Sequence, residues 1–125
     1  MNFQVTETFS NGTSNLLKPF KTDVEAKNFF AEQLKQDGSK PIDLESWSLE
    51  LNKLTEDSDV ETIKSQTLYN EGTIDRKNNR GESAINYGFV SVWNAAKQEL
   101  EYTFYFQGEK EEGTVLESEL ENWYF

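Results

Sequence analysis

The chain has 125 residues and a net charge of −11, with nine Phe, five Tyr and three Trp but neither Cys nor His. A chain of this length supports one hydrophobic core, so we expect a single domain over residues 1–125. The missing Cys and His exclude disulfides, thiolate nucleophiles, iron–sulfur clusters and Cys- or His-based zinc sites, and they remove the commonest general base. Because no apolar run reaches membrane-spanning length and no signal peptide begins the chain, the sequence predicts a cytoplasmic protein without membrane contact.

The charge is unevenly distributed along the chain. Residues 45–61 carry −5 and residues 99–121 carry −7, whereas residues 62–98 between them carry +2. A field of this sign repels a phosphate backbone, so direct nucleic-acid binding is not expected. An acid excess also keeps a small protein soluble, and that interpretation of the charge stays open.

The first third of the chain predicts a strand followed by a helix. Residues 2–9 alternate between apolar and polar side chains, which is typical of a strand. Thr22 and Glu25 have the spacing of a capping box, in which the Thr hydroxyl accepts from the Glu25 amide and the Glu carboxylate returns to the cap amide. Ala26, Phe29, Phe30 and Leu34 follow at the spacing of one buried helical stripe. A helix over residues 23–37 is therefore expected.

Four further strands are predicted, over residues 45–53, 61–70, 84–93 and 99–107. The last two alternate most clearly and predict the central hairpin of a sheet, with Tyr87, Phe89, Tyr102 and Phe104 among its apolar residues. Residues 75–81 contain no apolar side chain, so an exposed hairpin tip or mobile loop is expected there.

The C-terminal residues permit two interpretations. Thr114 and Glu117 repeat the capping-box spacing, and Leu116, Leu120, Trp123 and Tyr124 follow at helical spacing, which predicts a short C-terminal helix. Alternatively, residues 122–125 form an edge strand. The predicted fold class is α+β, a single antiparallel sheet of four to five strands with one helix packed across it and a short C-terminal helix.

Patterns that would indicate catalysis or metal binding are missing or incomplete. Asp57, Asp59 and Glu61 resemble the opening of a calcium loop, but Thr62 and Leu68 stand where such a loop needs Gly and a bidentate Glu. There is no glycine-rich phosphate loop and no serine nucleophile motif. The sequence therefore predicts neither a catalytic residue nor a metal or cofactor site.

The candidate partner-binding residues are acidic and aromatic, and they crowd the last quarter of the chain. They are Glu99, Glu101, Tyr105, Glu109, Glu111, Glu112, Glu117, Glu119, Glu121, Trp123 and Tyr124. We expect carboxylates crowded in this way to imitate phosphates, and exposed aromatic side chains often anchor protein interfaces. Arg76, Lys77 and Arg80 form a basic cluster that is a secondary loop contact in this interpretation.

These features predict a non-enzymatic binding protein. In size and charge the chain resembles the inhibitors that phages direct against bacterial defence nucleases and the immunity proteins that neutralise bacterial toxins. That resemblance implies an inhibitor of a nucleic-acid-handling enzyme, with a basic protein partner and an acidic surface that mimics nucleic acid. One alternative is a small-ligand-binding domain whose pocket lies between helix 23–37 and an aromatic sheet face of Trp47, Tyr87, Phe89, Tyr102 and Phe104. The other is a structural or assembly component.

Overall fold

A computed structural model describes residues 2–125, and it is mostly β. Eight strands form one antiparallel sheet: β1 (Asn2–Phe9), β2 (Ser14–Phe20), β3 (Ser46–Leu54), β4 (Val60–Lys77), β5 (Ala84–Asn94), β6 (Glu99–Phe106), β7 (Glu109–Lys110) and β8 (Val115–Leu116). Their order is β2-β1-β3-β4-β5-β6-β7, and β8 also pairs with β6. The predicted α+β fold with four to five strands is therefore wrong in strand number and in the balance of helix to sheet.

Helix α1 (Asp23–Gln33) begins where the capping pattern predicts. The Thr22 hydroxyl accepts from the Glu25 backbone N–H at 3.3 Å and donates to the Glu25 carboxylate at 2.9 Å, so the carboxylate meets the hydroxyl instead of the cap amide. The helix ends at Gln33 with Leu34 as its C-cap, earlier than the predicted residue 37, and single turns continue to Gln36. It is the longest helix in the described part of the chain, and no helix there is long and apolar enough to cross a bilayer.

The main core lies between α1 and one face of the sheet. Its buried members are Val5, Ala26, Phe30, Leu49, Leu51, Leu68, Trp93 and Leu100. Helix α1 packs mainly on β1, β2 and β3, and the aromatic side chains of β5 and β6 extend the same apolar face beyond it. Of the predicted helical stripe, Ala26 and Phe30 are buried, whereas Phe29 and Leu34 are partly buried.

Strand β4 is shared between two sets of neighbours. Its first part, Val60 to Asn70, pairs with β3, and its second part, Tyr69 to Lys77, pairs with β5. The prediction of a strand over 61–70 captured only the first part. Asp75, Arg76 and Lys77 belong to the strand because hydrogen bonding to β5 stabilises a segment that has no apolar pattern of its own, and the turn is left to residues 78–83.

Three strands were not predicted, because β2 buries little surface and β7 and β8 are very short. In β2 every residue except Phe20 is exposed, and Pro19 interrupts it, as is usual only in an edge strand. Strands β7 and β8 contain two residues each, too few for any alternation to be read.

The short C-terminal helix predicted from helical spacing is a 3-10 helix and not an α-helix. Residues Glu117–Asn122 form a 3-10 helix, and residues 123–125 are irregular, so they are neither helix nor edge strand. The Leu116 N–H donates to the Glu119 carboxylate at 2.8 Å, so this turn is capped two residues later than the Thr114 pattern suggests. The Phe125 N–H reaches the Lys77 carbonyl at 3.1 Å, which brings the end of the chain to the end of β4.

The connection from α1 to β3 passes very close to the sheet at Gly38. The Gly38 N–H donates to the Trp93 carbonyl at 2.9 Å, and the Trp93 indole N–H donates to the Leu34 carbonyl at 2.9 Å. A Cβ atom at position 38 would overlap the Leu68 carbonyl oxygen. Only glycine fits this crossing between the connection, β4 and β5.

Candidate protein-binding surface

The outer edge of β6 is covered by the segment that follows it. Tyr105 and Phe106 pair with Lys110 and Glu109 in β7, and Glu101 and Tyr102 pair with Leu116 and Val115 in β8. The chain therefore folds back once after β6 and pairs with that strand at two places. This brings residues 109–121 beside residues 99–106.

Six glutamates lie on this folded-back segment: Glu109, Glu111, Glu112, Glu117, Glu119 and Glu121. We call them the acidic edge. All are exposed, and within residues 2–125 none of them forms an ion pair. Lys110 is the single cation between residues 99 and 125. The acidic edge therefore presents unneutralised negative charge to solvent.

The carboxylates of β6 have structural partners. Glu99 accepts from the Ser118 N–H at 2.8 Å, and Glu101 accepts from the Asn94 side-chain amide at 3.1 Å. Hydrogen bonds from the Ser118 hydroxyl and backbone N–H lower the pKa of Glu99. Glu99 thus holds the 3-10 helix against β6, so its carboxylate positions the acidic edge.

The aromatic candidates occupy different environments. Tyr105 pairs with Gly88 on the sheet face opposite the aromatic side chains of β5 and β6, and it is partly exposed. Trp123 is partly buried, whereas Tyr124 and Phe125 are 45% and 48% exposed. Tyr124 and Phe125 are thus the tail aromatics most accessible to a partner.

Trp123 belongs to an aromatic cluster on the helix-bearing face of the sheet, formed by Tyr87, Phe89, Tyr102, Phe104, Phe106 and Trp123. Its ring stacks on Phe104 and meets the edge of Tyr87, with centroids 5.3 Å apart. Trp123 was named from the sequence as a candidate partner contact, and the structure places it over the aromatic end of the sheet face. The aromatic residues that alternate along β5 and β6 are the sequence signal that could have predicted this position for Trp123.

The predicted basic cluster is divided by the structure. The Arg76 guanidinium lies 4.7 Å from the Trp123 ring centroid and 5.8 Å from that of Tyr87. Its Nε is buried, without a hydrogen-bond acceptor in the described chain. Lys77 ends β4, and Arg80 is exposed in the following turn. Arg76 therefore packs on aromatic rings. The sequence did not predict this contact, because the neighbours of Arg76 in the chain are polar.

The second acidic stretch lies on another part of the sheet. Residues 45–61 form β3, the β3–β4 turn and the beginning of β4, and strand β5 stands between this hairpin and β6. The turn is closed by the Thr55 hydroxyl and the Asp59 backbone at 3.2 Å. In the described residues, no group of three or more acids converges as a metal site would require.

The space expected for a ligand between α1 and the aromatic face is divided. Trp47 lines a hollow of about 230 Å³ beside the end of α1, together with Leu49 and Leu68. The other four aromatics named for that pocket pack against one another and Trp123.

Comparisons with protein-family models, with curated proteins and with solved structures find no match to this chain.

Proposed function

We propose that this protein is a non-enzymatic inhibitor that binds a nucleic-acid-handling enzyme through the acidic edge. The partner presents a basic surface that normally holds a phosphate backbone, and the carboxylates occupy the positions of phosphates. The observation that supports this proposal is the covering of β6 by β7 and β8, which gathers six unpaired glutamates on one border of the sheet.

The charge and rigidity of this border favour binding to a basic protein. Like charges on adjoining turns repel one another, so a cationic partner relieves that repulsion while it is drawn in by the long-range field. Glu99 and Glu119 each accept a backbone N–H of the folded-back segment at 2.8 Å, which fixes the segment before any partner arrives. Less ordering entropy is then lost on binding.

Two charge-reversal variants of equal net charge test the proposal. Glu111→Lys with Glu112→Lys alters the acidic edge, and Glu32→Lys with Glu82→Lys alters exposed acids elsewhere. Each immobilised protein captures partners at low salt from a lysate of the source organism or its natural host. Proteins eluted by a salt gradient are identified, and their activity on nucleic acid is assayed with added protein.

The wild-type protein and the Glu32/Glu82 variant are expected to retain a basic nucleic-acid enzyme, to release it as salt rises and to inhibit it. The Glu111/Glu112 variant is expected to associate about tenfold more slowly. Capture and inhibition that are insensitive to both salt and the Glu111/Glu112 change would contradict the proposal.

A further inference from the structure

A hollow of about 470 Å³ lies at the corner of the sheet opposite the first turn of α1. Phe3 at the start of β1, Phe20 at the end of β2 and Leu54 at the end of β3 line it on the sheet side. Glu25 lines it on the helix side. This volume is within the range of about 300–1,000 Å³ typical of small-molecule sites.

The floor of the hollow is apolar and fixed. Phe3 and Phe20 are directly paired across β1 and β2, and the Phe20 ring packs on Phe29 of α1 with centroids 5.3 Å apart. Packing on α1 and on the core holds the Phe20 and Phe3 side chains in place. The floor therefore offers a preformed surface for an aliphatic or aromatic group.

Two lysines give the hollow its charge. The Lys18 Nζ lies 5.5 Å from the Phe20 ring centroid and 5.9 Å from that of Phe29, and Lys21 follows directly after β2. Within residues 2–125 neither ammonium group forms an ion pair. The nearby Glu25 carboxylate already accepts the Thr22 hydroxyl at 2.9 Å.

The sign of this charge sets the hollow apart from others on the same protein. Glu99 and Glu117 line the hollow beside β6, Glu45 and Glu71 line the one beside Tyr105, and Glu7 and Asp37 line the one at the end of α1. In a chain of net charge −11, two cations beside one carboxylate make a local positive site. We call this hollow, lined by Phe3, Phe20, Leu54, Lys18 and Lys21, the positive hollow.

We propose that this hollow binds a small organic monoanion, a carboxylate with an aliphatic or aromatic body. The body lies on Phe3, Phe20 and Leu54, and the carboxylate group meets the ammonium groups of Lys18 and Lys21. The site shares no residue with the acidic edge or with the aromatic sheet face named for the predicted pocket, so it stands independently of the proposed inhibitor function.

The probe for this site is sodium octanoate, and octylammonium chloride is its cationic counterpart of equal chain length. Titration of the isotope-labelled protein, followed by amide NMR shifts, reports both position and affinity. Octanoate is expected to shift the amides of Phe3, Phe20, Lys21 and Leu54 saturably. Octylammonium, which places a like charge beside the lysines, is expected to bind at least about fivefold more weakly.

The variant Lys18→Gln/Lys21→Gln is expected to bind octanoate about fivefold more weakly, whereas Lys35→Gln/Lys97→Gln, with the same net charge, binds as the wild type does. Lys21→Gln alone gives a second test that leaves the Lys18 contacts with the aromatic rings intact. Equal affinity for the two probes, shifts that map elsewhere, or unchanged binding by both Lys21 variants would overturn the proposal.

Discussion

The indole ring of Trp123 lies flat against the phenyl ring of Phe104, with centroids 3.8 Å apart and an interplanar angle of 17°. Arg76 reaches the same indole from β4, so one residue of the irregular C-terminal segment joins β4 and β6. The contact explains why residues 123–125 keep a defined position without regular secondary structure.

Trp123→Ala is expected to lower the free energy of unfolding by about 2–3 kcal/mol, because it removes the stacking on Phe104 and the cation–π contact with Arg76. Urea unfolding measures the loss. Tyr124→Ala, at a half-exposed neighbour, is the control and is expected to change stability by less than about 0.5 kcal/mol. Equal effects of the two changes would show that the stacking contributes nothing.

Gly38→Ala is expected to cost more than about 2 kcal/mol of unfolding free energy, because the added Cβ would overlap the Leu68 carbonyl oxygen and displace the Gly38 N–H from Trp93. Gly88→Ala is the matched control, since its Cβ would meet only the ordinary contact distance of 3.7 Å to Tyr105. Thermal or urea unfolding of the two variants checks the difference, and a Gly38→Ala protein as stable as Gly88→Ala would refute it.

Burial and the hydrogen bond to Glu71 raise the pKa of Tyr69 from 10.0 to about 12. Because the folded pKa is above the unfolded one, the resulting stabilisation is complete below pH 10 and is lost as pH rises towards 12. The difference in unfolding free energy between the wild type and Tyr69→Phe should therefore shrink from pH 10 to pH 12. A difference that stays constant over this range would argue against it.

Glu99→Gln is expected to loosen the 3-10 helix from β6, because a neutral amide accepts the Ser118 N–H less strongly than a carboxylate does. Amide hydrogen exchange at Ser118 measures this change and should become faster. Glu117→Gln, which removes an equal charge without a hydrogen bond to β6, should leave that rate unaltered. Since the folded pKa of Glu99 is lowered, wild-type protection should be full above its usual pKa and decline as pH falls through the lowered value.

The sequence predicted the elements that have one buried face. The β5–β6 hairpin and the beginning of α1 were found because apolar alternation and the Thr22–Glu25 cap are local signals. Strand β2 and the second part of β4 were missed because pairing with neighbours, and not side-chain burial, makes them strands.

The candidate surface was predictable to a similar extent. That the acids of residues 99–121 would lie together followed from their closeness in the chain. The roles of Glu99 and Arg76 could not be predicted in this way. Glu99 accepts a backbone N–H and Arg76 packs on an indole, but in the sequence neither residue differs from a solvated charge. The positive hollow was also missed, since Phe3, Lys18 and Leu54 belong to three different strands.

The division of β4 between β3 and β5 has a consequence for how the molecule opens. Only Tyr69 and Asn70 are paired on both sides, so the hydrogen-bonded ladders of the two halves of the sheet meet over two residues. Fluctuations that break the β3–β4 ladder need not break the β4–β5 ladder, and the two halves are otherwise joined through the core and the hydrogen bonds of Leu34 and Gly38 with Trp93. The acidic edge and the positive hollow lie in different halves of the sheet, so a fluctuation confined to one ladder disturbs only one of these two surfaces.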